Sequence, residues 1–383
     1  MKVIIAPDSF KGTLTAPEVC EIVAREFRAG FPGADIVSAP LADGGEGMAA
    51  AWQAACGGTM QSAEVSGPYN FPGREAAGAP VRAPWLLLEN KTAVLEMASC
   101  AGLELARPYG LDPGRASTRG VGELIQQASR HASRAILGLG GSATNDAGAG
   151  MACALGWEFL NRAGKAFCPT GSTLCEIMHI IPPKYPLLYE DSELYEVVAA
   201  CDVGNPLYGT DGAAYVYAPQ KGADAATVRQ LDDGLRHIAG VMGAEPLART
   251  PGAGAAGGLG FGVLAFLKGT LRPGIDLLLE QMRFSALLHG ADWVITGEGR
   301  MDSQTLQGKA PMGVLPYAKA ARVPVIGICG CLGEGADKLY EAGFAEIFPA
   351  SAGGLSLQAL QNTCRRDLAN AAKQAAQYIA NCG

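Results

Sequence analysis

The fold of this chain is decided by its opening stretch, Lys2-Val-Ile-Ile-Ala6-Pro-Asp8-Ser-Phe-Lys-Gly12-Thr-Leu-Thr15-Ala-Pro-Glu18. The apolar run 3–6 predicts a short buried strand, and the polar residues 8–12 predict a loop after it. Thr15 and Glu18 have the spacing of a capping box, so a helix should begin there. The chain therefore starts with a strand, a charged loop and a helix.

The same order follows at once. A strand is predicted at 35–39, a loop at 43–47, and a helix that ends at Gly57. The last hundred residues repeat it, with strands at 292–296, 323–329 and 345–348 and helices at 312–321 and 355–379. Alternating strands and helices predict a parallel sheet covered by helices, in which ligands bind at the carboxyl ends of the strands.

The middle of the chain follows a different pattern. Residues 59–115 predict an irregular, partly antiparallel segment. After it come a helix at 120–131, a strand at 135–139, a helix at 147–156 and a strand at 197–201. We therefore predict an α/β protein of two domains. Residues 1–58 and 284–383 form one doubly wound parallel-sheet domain, residues 59–283 form an inserted mixed α/β domain, and the active site lies in the cleft between them.

Composition excludes several classes of function. The net charge is −7 and no basic run is longer than Arg365-Arg366, so nucleic acid is a poor partner. No stretch has the apolar length of a signal peptide or a membrane helix. The 11 cysteines lack paired spacing and there are only four histidines, which favours free thiols in a reducing cytoplasm over zinc. A homo-oligomer is left open.

Glycine is the strongest compositional signal, with 52 residues. The cluster 137–148 follows a predicted strand and precedes a helix. Its N–H groups and the helix N-terminus suit a phosphate or carboxylate, although a tight turn would also use glycines. Residues 138–143 fit a variant dinucleotide fingerprint too, which is weak evidence alone. The second cluster, 251–262, predicts either a hinge between domains or a ligand-facing loop.

Three loops combine carboxylates with small residues: Asp43 to Glu46, Asp202 to Asn205, and Glu298 to Asp302. Phosphoryl transfer needs Mg²⁺ held by one or two carboxylates and a cation on the phosphates. These loops, with Lys11 and Lys309, could supply both, although Asp–Gly loops are also ordinary turns. The Walker A loop, the protein-kinase motifs and the serine-hydrolase elbow are absent.

Several segments in this order resemble the bacterial glycerate kinases of the first type. They are Ala6 to Gly12, Ala42 to Gly47, Gly138 to Asp146, Pro219 to Ala223, Pro251 to Gly258, and Thr296 to Lys309. Ala147 departs from the family pattern, in which glycine is expected. The resemblance implies a flavodoxin-like domain built from both chain ends, and transfer of the ATP γ-phosphoryl group to D-glycerate with Mg²⁺, usually giving 2-phosphoglycerate.

The resemblance also suggests roles for particular residues. The glycerate carboxylate needs a donor or a cation, for which Ser9, Lys11 and Arg272 are the candidates. The ATP phosphates are assigned to Gly140, Gly141, Ser142, Ala143 and Asn145. The catalytic residues are Asp43 or Asp302 as the base, since the histidines lie outside the motifs, with Lys11 and Lys309 as cations. The metal ligands are Glu46 and Asp202.

Two other functions stay open at this point. One is a kinase for another hydroxy acid or sugar, because residues 138–143 also resemble the phosphate loop of the galactokinase and homoserine kinase superfamily. The other is a non-catalytic metabolite sensor, which would not need the carboxylate loops. A nicotinamide oxidoreductase is weaker still, because it would leave those loops unexplained.

Overall fold

The computed structural model describes residues 1–10, 12–41, 47–69, 80–185, 187–189, 193–354 and 357–382. Within these residues the strands are β1 (Lys2–Pro7), β2 (Asp35–Ser38), β3 (Thr59–Ser66), β4 (Pro80–Leu87), β5 (Thr92–Glu96), β6 (Arg134–Gly138), β7 (Glu158–Leu160), β8 (Ala166–Phe167), β9 (His179–Ile181), β10 (Leu188–Tyr189), β11 (Glu193–Leu194), β12 (Glu196–Ala200), β13 (Thr270–Arg272), β14 (Trp293–Gly297), β15 (Arg300–Met301), β16 (Val325–Cys329), β17 (Cys331–Leu332) and β18 (Phe344–Pro349).

The α-helices of the described ranges are α1 (Ala16–Gly30), α2 (Met48–Cys56), α3 (Ala98–Ala101), α4 (Leu103–Ala106), α5 (Arg119–Ala128), α6 (Ala149–Ala154), α7 (Ala213–Tyr217), α8 (Ala225–Val241), α9 (Glu245–Ala248), α10 (Ala255–Phe266), α11 (Gly274–Gln281), α12 (Phe284–Leu287), α13 (Ala310–Ala321), α14 (Lys338–Ala342) and α15 (Leu357–Cys382). None of them has the length and apolar character needed to cross a bilayer.

The chain divides into two compact units. Unit 1 comprises Met1–Asp43, Ala54–Cys56 and Ile275–Gly383, and unit 2 comprises Gly44–Gln53 and Gly57–Gly274. Both are α/β units built on mainly parallel sheets, so the predicted fold class is confirmed. The domain boundaries that the sequence suggested, at 58 and 284, stay a prediction, as does an active site between the domains.

Unit 1 contains a sheet of five strands in the order β18-β16-β14-β1-β2. Every neighbouring pair is parallel. Counted within the unit from its other edge, the strand order is 2-1-3-4-5, which is the flavodoxin-like order. The first two strands come from the beginning of the chain and the other three from its last hundred residues, so both chain ends build this sheet.

Successive residues of a strand point to opposite faces of the sheet. Strands that are apolar throughout therefore need both faces buried, and helices cover both faces of the unit 1 sheet. Val3 and Ile5 belong to the apolar cluster formed with α1 and α15. Ile4 and Val294 lie outside that cluster and are also fully buried. The helix α13 contacts β1, β14 and β16. The doubly wound arrangement therefore follows from strands that are apolar on both faces.

The capping box predicted for α1 is present. The N–H of Glu18 donates to Thr15 Oγ1 at 3.4 Å, and the N–H of Thr15 donates to the Glu18 carboxylate at 2.9 Å. These bonds satisfy N–H groups that the first helical turn leaves without partners. Val19, Val23 and Phe27 then form part of the buried stripe of the helix.

Unit 2 contains a six-stranded sheet in the order β13-β12-β6-β5-β4-β3. The first four strands are mutually parallel, and β4 and β3 join them antiparallel at one edge. Its apolar core is formed by strand residues such as Leu137 and helix residues such as Leu124, Met151 and Leu235. The parallel strands bring β5, β6, β12 and β13 to a common carboxyl edge.

Two features of unit 2 differ from the sequence prediction. The helix expected from residue 147 begins only at Ala149, because Ala147 and Gly148 have φ values of 55° and 75° in the left-handed region. A small antiparallel sheet, β8-β7-β9, was not predicted. Its strands have two or three residues, which is too short to show a period.

Candidate active site

The carboxyl edge of the unit 1 sheet brings together two of the predicted loops. β1 and β14 are neighbours, with Ala6 opposite Thr296, and the loops after them begin at Asp8 and Glu298. The chain leaves β1 toward β2 and leaves β14 toward β16, which lies on the opposite side. This position is the topological switch point, where open α/β sheets bind their ligands.

A cavity of about 550 Å³ lies at this edge. Its lining includes Ser9 and Phe10 from the first loop, Glu298, Arg300 and Lys309 from the second, and residues of the loops after β16 and β18. The volume is within the range of ~300–1,000 Å³ that is typical of small-molecule sites. Ser9 and Lys309, two of the residues assigned from the sequence, therefore line one cavity.

Glu298 and Lys309 form an ion pair in this cavity. Lys309 Nζ lies 3.2 Å from Glu298 Oε2, and Thr305 Oγ1 donates to Glu298 Oε1 at 2.6 Å. Burial raises the pKa of Glu298, and the bonds from Thr305 and Lys309 act against that rise. The ammonium of Lys309 is thereby held at the cavity wall, where it can approach a phosphoryl oxygen.

Asp302, one of the two candidate bases, is bonded within its own loop. Its Oδ1 accepts from the N–H of Gln304 at 2.9 Å, and its Oδ2 lies 3.0 Å from Arg300 Nε. Glu298 lines the cavity, whereas Asp302 does not. The sequence analysis gave no individual role to Arg300 or Glu298, although it singled out the loop from Glu298 to Asp302 as one of three carboxylate loops suited to phosphoryl transfer.

Asp8 is a further residue that the sequence-based assignment did not include. It is buried at the end of β1, its N–H donates to Gly297 O at 2.8 Å, and its Oδ1 accepts from the N–H of Ser9 at 2.6 Å. Asp8 therefore fixes the backbone at Ser9. The predicted residues Lys11, Asp43 and Glu46 lie outside the described residues.

Unit 2 carries the glycine-rich loop between β6 and α6. Gly141 has a φ of 72°, and its carbonyl accepts from Leu103 N–H, while Ala143 N–H donates to Ala101 O. In the described part of the chain, no acceptor is found for the N–H groups of Gly140 and Gly141 or for that of Ser142. Three successive backbone donors without protein acceptors are the arrangement expected for anion binding.

The helix that follows this loop does not contribute its N-terminus, contrary to the expectation from sequence. The Asp146 carboxylate accepts from the N–H groups of Gly148 and Gly150 at 3.1 and 3.2 Å. It also accepts from the N–H and the hydroxyl of Thr118. Burial raises the pKa of Asp146, and these donors oppose the rise. An internal carboxylate thus fills the place that a phosphate would take.

Lys221 is a functional candidate that sequence reasoning missed. It is 2% exposed, and its Nζ donates to Ser142 Oγ at 2.6 Å and to Thr144 O at 2.9 Å. Burial lowers the pKa of Lys221 to about 7, against the opposite effect of the Asp146 charge. The segment Pro219 to Ala223 supported the family resemblance, but only the fold shows that its lysine lies beneath the glycine-rich loop.

Asn145 is fully buried in the same loop. Neither its Oδ1 nor its Nδ2 has a hydrogen-bond partner in the described part of the chain. A buried amide without partners costs roughly 1–3 kcal/mol, so such groups in native structures point to a strained site or to an absent ligand. The predicted assignment of Asn145 to phosphate is compatible with that state.

The second glycine cluster supports the first and lies wholly within unit 2, so it is not a hinge between the units. Thr144 Oγ1 donates to Ala256 O at 3.3 Å, and Ala147 N–H donates to Gly257 O at 3.1 Å. A Cβ at Gly257 would lie only 1.9 Å from Thr144 O. The glycines allow two backbones to meet at van der Waals distance.

Asp202 and Arg272 lie at the same carboxyl edge as the glycine-rich loop. β12 ends beside β13, with Ala200 opposite Arg272, and Asp202 Oδ1 accepts from Gly274 N–H at 3.0 Å. In the described part of the chain, no three His, Cys, Asp or Glu side chains form a metal cluster. Mg²⁺ in phosphoryl-transfer sites needs only one or two carboxylates beside phosphate and water, and Asp202 fits that demand.

Glu96 fixes the start of α2, the helix that follows the acidic residues 43–46, for which the sequence predicts a loop. Its carboxylate oxygens accept from the N–H groups of Gly47 at 2.7 Å and Ala49 at 2.9 Å. Glu96 ends β5, so a residue of the parallel sheet anchors the chain directly after that loop. The pairing also complements the positive end of the helix dipole.

Comparisons with known proteins agree over nearly the whole chain. The sequence profile of the Glycerate kinase family matches residues 3–380. A glycerate kinase of Bacillus cereus is 41% identical over 382 residues, covering 98% of this chain and 97% of the relative. A glycerate 2-kinase of Escherichia coli is 41% identical over 355 residues, covering 91% and 90%.

A solved structure shows the same relationship. A crystal structure from Salmonella typhimurium LT2, described as a glycerate kinase 2, superposes with a TM-score of 0.85 at 36% identity and covers 100% of this chain and 98% of that one. The sequence resemblance, the flavodoxin-like strand order of unit 1 and these matches lead to one conclusion. The chain belongs to the glycerate kinase family.

Proposed function

We propose that this protein transfers the γ-phosphoryl group of ATP to the 2-hydroxyl of D-glycerate with Mg²⁺, giving 2-phosphoglycerate. Membership of the glycerate kinase family makes the chain an ATP-dependent kinase whose acceptor is an alcohol group. The observation that carries the choice of hydroxyl is the 41% identity to the E. coli protein named glycerate 2-kinase.

The ATP phosphates are assigned to the loop from Gly140 to Asn145, Ala143 included. Among the residues that the structure describes, the N–H groups at 140–142 have no acceptor and the Asn145 side-chain amide has no partner, and these groups together with the buried Lys221 ammonium support this assignment. Mg²⁺ is assigned to Glu46 and Asp202, where it would neutralise phosphate charge when bound.

The remaining roles concern the acceptor. The glycerate carboxylate is assigned to Ser9, Lys11 or Arg272, and the transferred phosphoryl group to Lys309. The base is Asp43 or Asp302. The two bonds that Asp302 makes to its own loop leave further lone pairs on its carboxylate, since an ionised carboxylate has about four acceptor positions.

The test is a coupled assay of ADP release by the purified protein with Mg-ATP, with and without D-glycerate, followed by NMR of the product. We expect ADP release that depends on D-glycerate. We also expect the product phosphorus to couple to the single methine proton, because 2-phosphoglycerate carries its phosphate on C2. Coupling to a methylene pair would identify 3-phosphoglycerate and overturn the choice of hydroxyl.

The alternatives have their own outcomes in the same assay. ADP release with another hydroxy acid or a sugar, but not with D-glycerate, would keep the kinase and reject the acceptor. Absence of release with every acceptor would favour a metabolite sensor. A homo-oligomer stays a prediction, which light scattering of the same preparation tests.

A further inference from the structure

Lys221 carries a charge in an environment that does not balance it. The residue is 2% exposed, and among the described residues the contacts found for its ammonium do not include a salt bridge to a carboxylate. Its partners are a hydroxyl, Ser142 Oγ, and a carbonyl, Thr144 O. A buried charge without an ion pair is costly, so it is retained in proteins mainly where a ligand or a function uses it.

The charges around Lys221 come from its neighbouring elements. Asp146, at the end of the glycine-rich loop, is the carboxylate whose field acts on it. That carboxylate is already occupied by the N–H groups of Thr118, Gly148 and Gly150 and by the Thr118 hydroxyl. The charge of Asp146 therefore lowers the free-energy cost of burying the Lys221 ammonium, but its carboxylate makes no hydrogen bond to that ammonium.

The ammonium has three donors, and two of them hold the loop. Ser142 is the last residue of the run 140–142, whose N–H groups have no acceptor among the described residues, and Thr144 directly precedes Asn145, whose side-chain amide has no partner there. Lys221 thus determines where these donors stand. A polyphosphate at the loop would supply acceptors for them and a negative charge for Lys221, which would leave each of these groups satisfied.

We infer that Lys221 is a positioning residue of the phosphate-binding loop: it fixes Ser142 and Thr144, and its charge makes the binding of a polyphosphate depend on protonation of the lysine. The inference rests on the proposed placement of the ATP phosphates at residues 140–145. Because burial lowers the pKa of Lys221 to about 7 in the free protein, an anion bound above it should raise that pKa again. Binding should therefore take up a proton.

The test measures ATP binding by titration calorimetry from pH 6 to 8.5 in two buffers of different ionisation enthalpy. For the unchanged protein we expect affinity to fall as the pH rises above about 7, with proton uptake near that pH. Lys221→Met should weaken binding at pH 6.5 by ~10-fold or more and abolish the proton uptake. Lys221→Arg should recover part of the affinity with no pH dependence in this range, because arginine stays protonated.

Two controls separate failure of the inference from failure of the proposed function. Lys165→Met removes an exposed lysine of unit 2 and should change nothing. Gly140→Asp places a carboxylate in the glycine-rich loop and should weaken ATP binding strongly. If Gly140→Asp binds ATP normally, the placement of the phosphates is wrong.

The inference itself fails in a distinct way. If Gly140→Asp loses affinity while Lys221→Met keeps both the affinity and the proton uptake of the unchanged protein, the loop binds phosphate without help from Lys221. If Lys221→Met does not fold, as judged by circular dichroism, Lys221→Arg decides. An arginine variant that retains the pH dependence and proton uptake of the unchanged protein would overturn the proposal.

Discussion

At the residue scale, the charge of the Glu298 carboxylate determines the position of the Lys309 ammonium. The Glu298 carboxylate holds the Lys309 ammonium at the cavity wall while Thr305 fixes its second oxygen. Burial raises the pKa of Glu298, so this carboxylate takes up a proton at a higher pH than an exposed glutamate does. Protonation removes the charge that positions Lys309.

Glu298→Gln should therefore lower kcat/KM and remove a step from its pH profile. In the unchanged protein, kcat/KM should fall as the pH drops and Glu298 becomes protonated. In the glutamine variant, the Thr305 bond can persist but the ion pair cannot, so we expect a loss of ~10-fold at neutral pH and no acid step from this residue. The measurement is the coupled ADP assay between pH 5 and 8.

The matched control is Glu104→Gln, which breaks an exposed ion pair with Arg107. Exposed pairs contribute little, so this variant should keep the activity and pH profile of the unchanged protein. An unaltered acid step in Glu298→Gln would show that another group causes it. Protonation of Glu298 would then not control the position of Lys309.

At the scale of elements, the two glycine clusters of unit 2, 137–148 and 251–262, pack against each other. Residues 256–258 interrupt α10 with three positive φ values and pack against the backbone at 144–148, and the carbonyl of Thr144 in turn accepts from Lys221. The glycine-rich loop is thus supported from one side by backbone contact and from another by the Lys221 ammonium. Its conformation depends on the absence of a side chain at Gly257.

Gly257→Ala should consequently affect both stability and nucleotide binding. The added Cβ would lie 1.9 Å from Thr144 O, and the φ of 68° disfavours any L side chain. We expect the free energy of unfolding to fall by roughly 2–4 kcal/mol and the KM for ATP to rise, because Thr144 must move. Urea denaturation and steady-state kinetics measure the two effects.

Gly240→Ala provides the comparison. Gly240 lies in α8, has open space where its Cβ would be and no left-handed φ, so alanine should stabilise the protein slightly, by ~0.4–1 kcal/mol, without changing the KM. If Gly257→Ala behaved like Gly240→Ala, the two clusters would not be packed as described.

The sequence predicted most elements but not the contacts that assemble the site. The apolar run 3–6 and the Thr15–Glu18 capping box are local signals, and the structure confirms both. The late start of α6 depends on the left-handed Ala147, which periodicity does not reveal. Lys221 and Ser142 meet across 79 positions of the chain, and no local pattern encodes that contact.

The family motifs likewise predicted which loops carry the site residues but not the contacts between those residues. They placed Ser9 and Lys309 in loops at strand ends, and the structure brings both to one cavity. They gave no reason to prefer Glu298 over Asp302 as a cavity residue, because both are acidic and lie in one loop. The distinction lies in the folded loop: the Asp302 carboxylate accepts from the N–H of Gln304 and does not line the cavity, whereas Glu298 accepts from Thr305 Oγ1 and lines it.

At the scale of the whole molecule, unit 1 is assembled from residues that are far apart in the chain. The helix α15 packs on α1, and Leu368 of α15 is fully buried in the cluster that contains Val3, Val23 and Phe27. Neither end of the chain can complete this apolar layer alone. The stability of the first strand should therefore depend on a helix more than 300 residues away.

Leu368→Ala tests that dependence by hydrogen exchange with mass spectrometry. Removing a fully buried leucine side chain costs ~2–5 kcal/mol. Because α15 and α1 share one core, faster exchange should extend to amides of β1, α1 and β14 as well as α15. Leu235→Ala removes an equally buried leucine from α8 and should instead accelerate exchange within unit 2. Faster exchange confined to α15 in the Leu368 variant would mean that the last helix only covers unit 1 and that its sheet is stable without it, whereas the joint response would make the beginning and the end of the chain one cooperative structure.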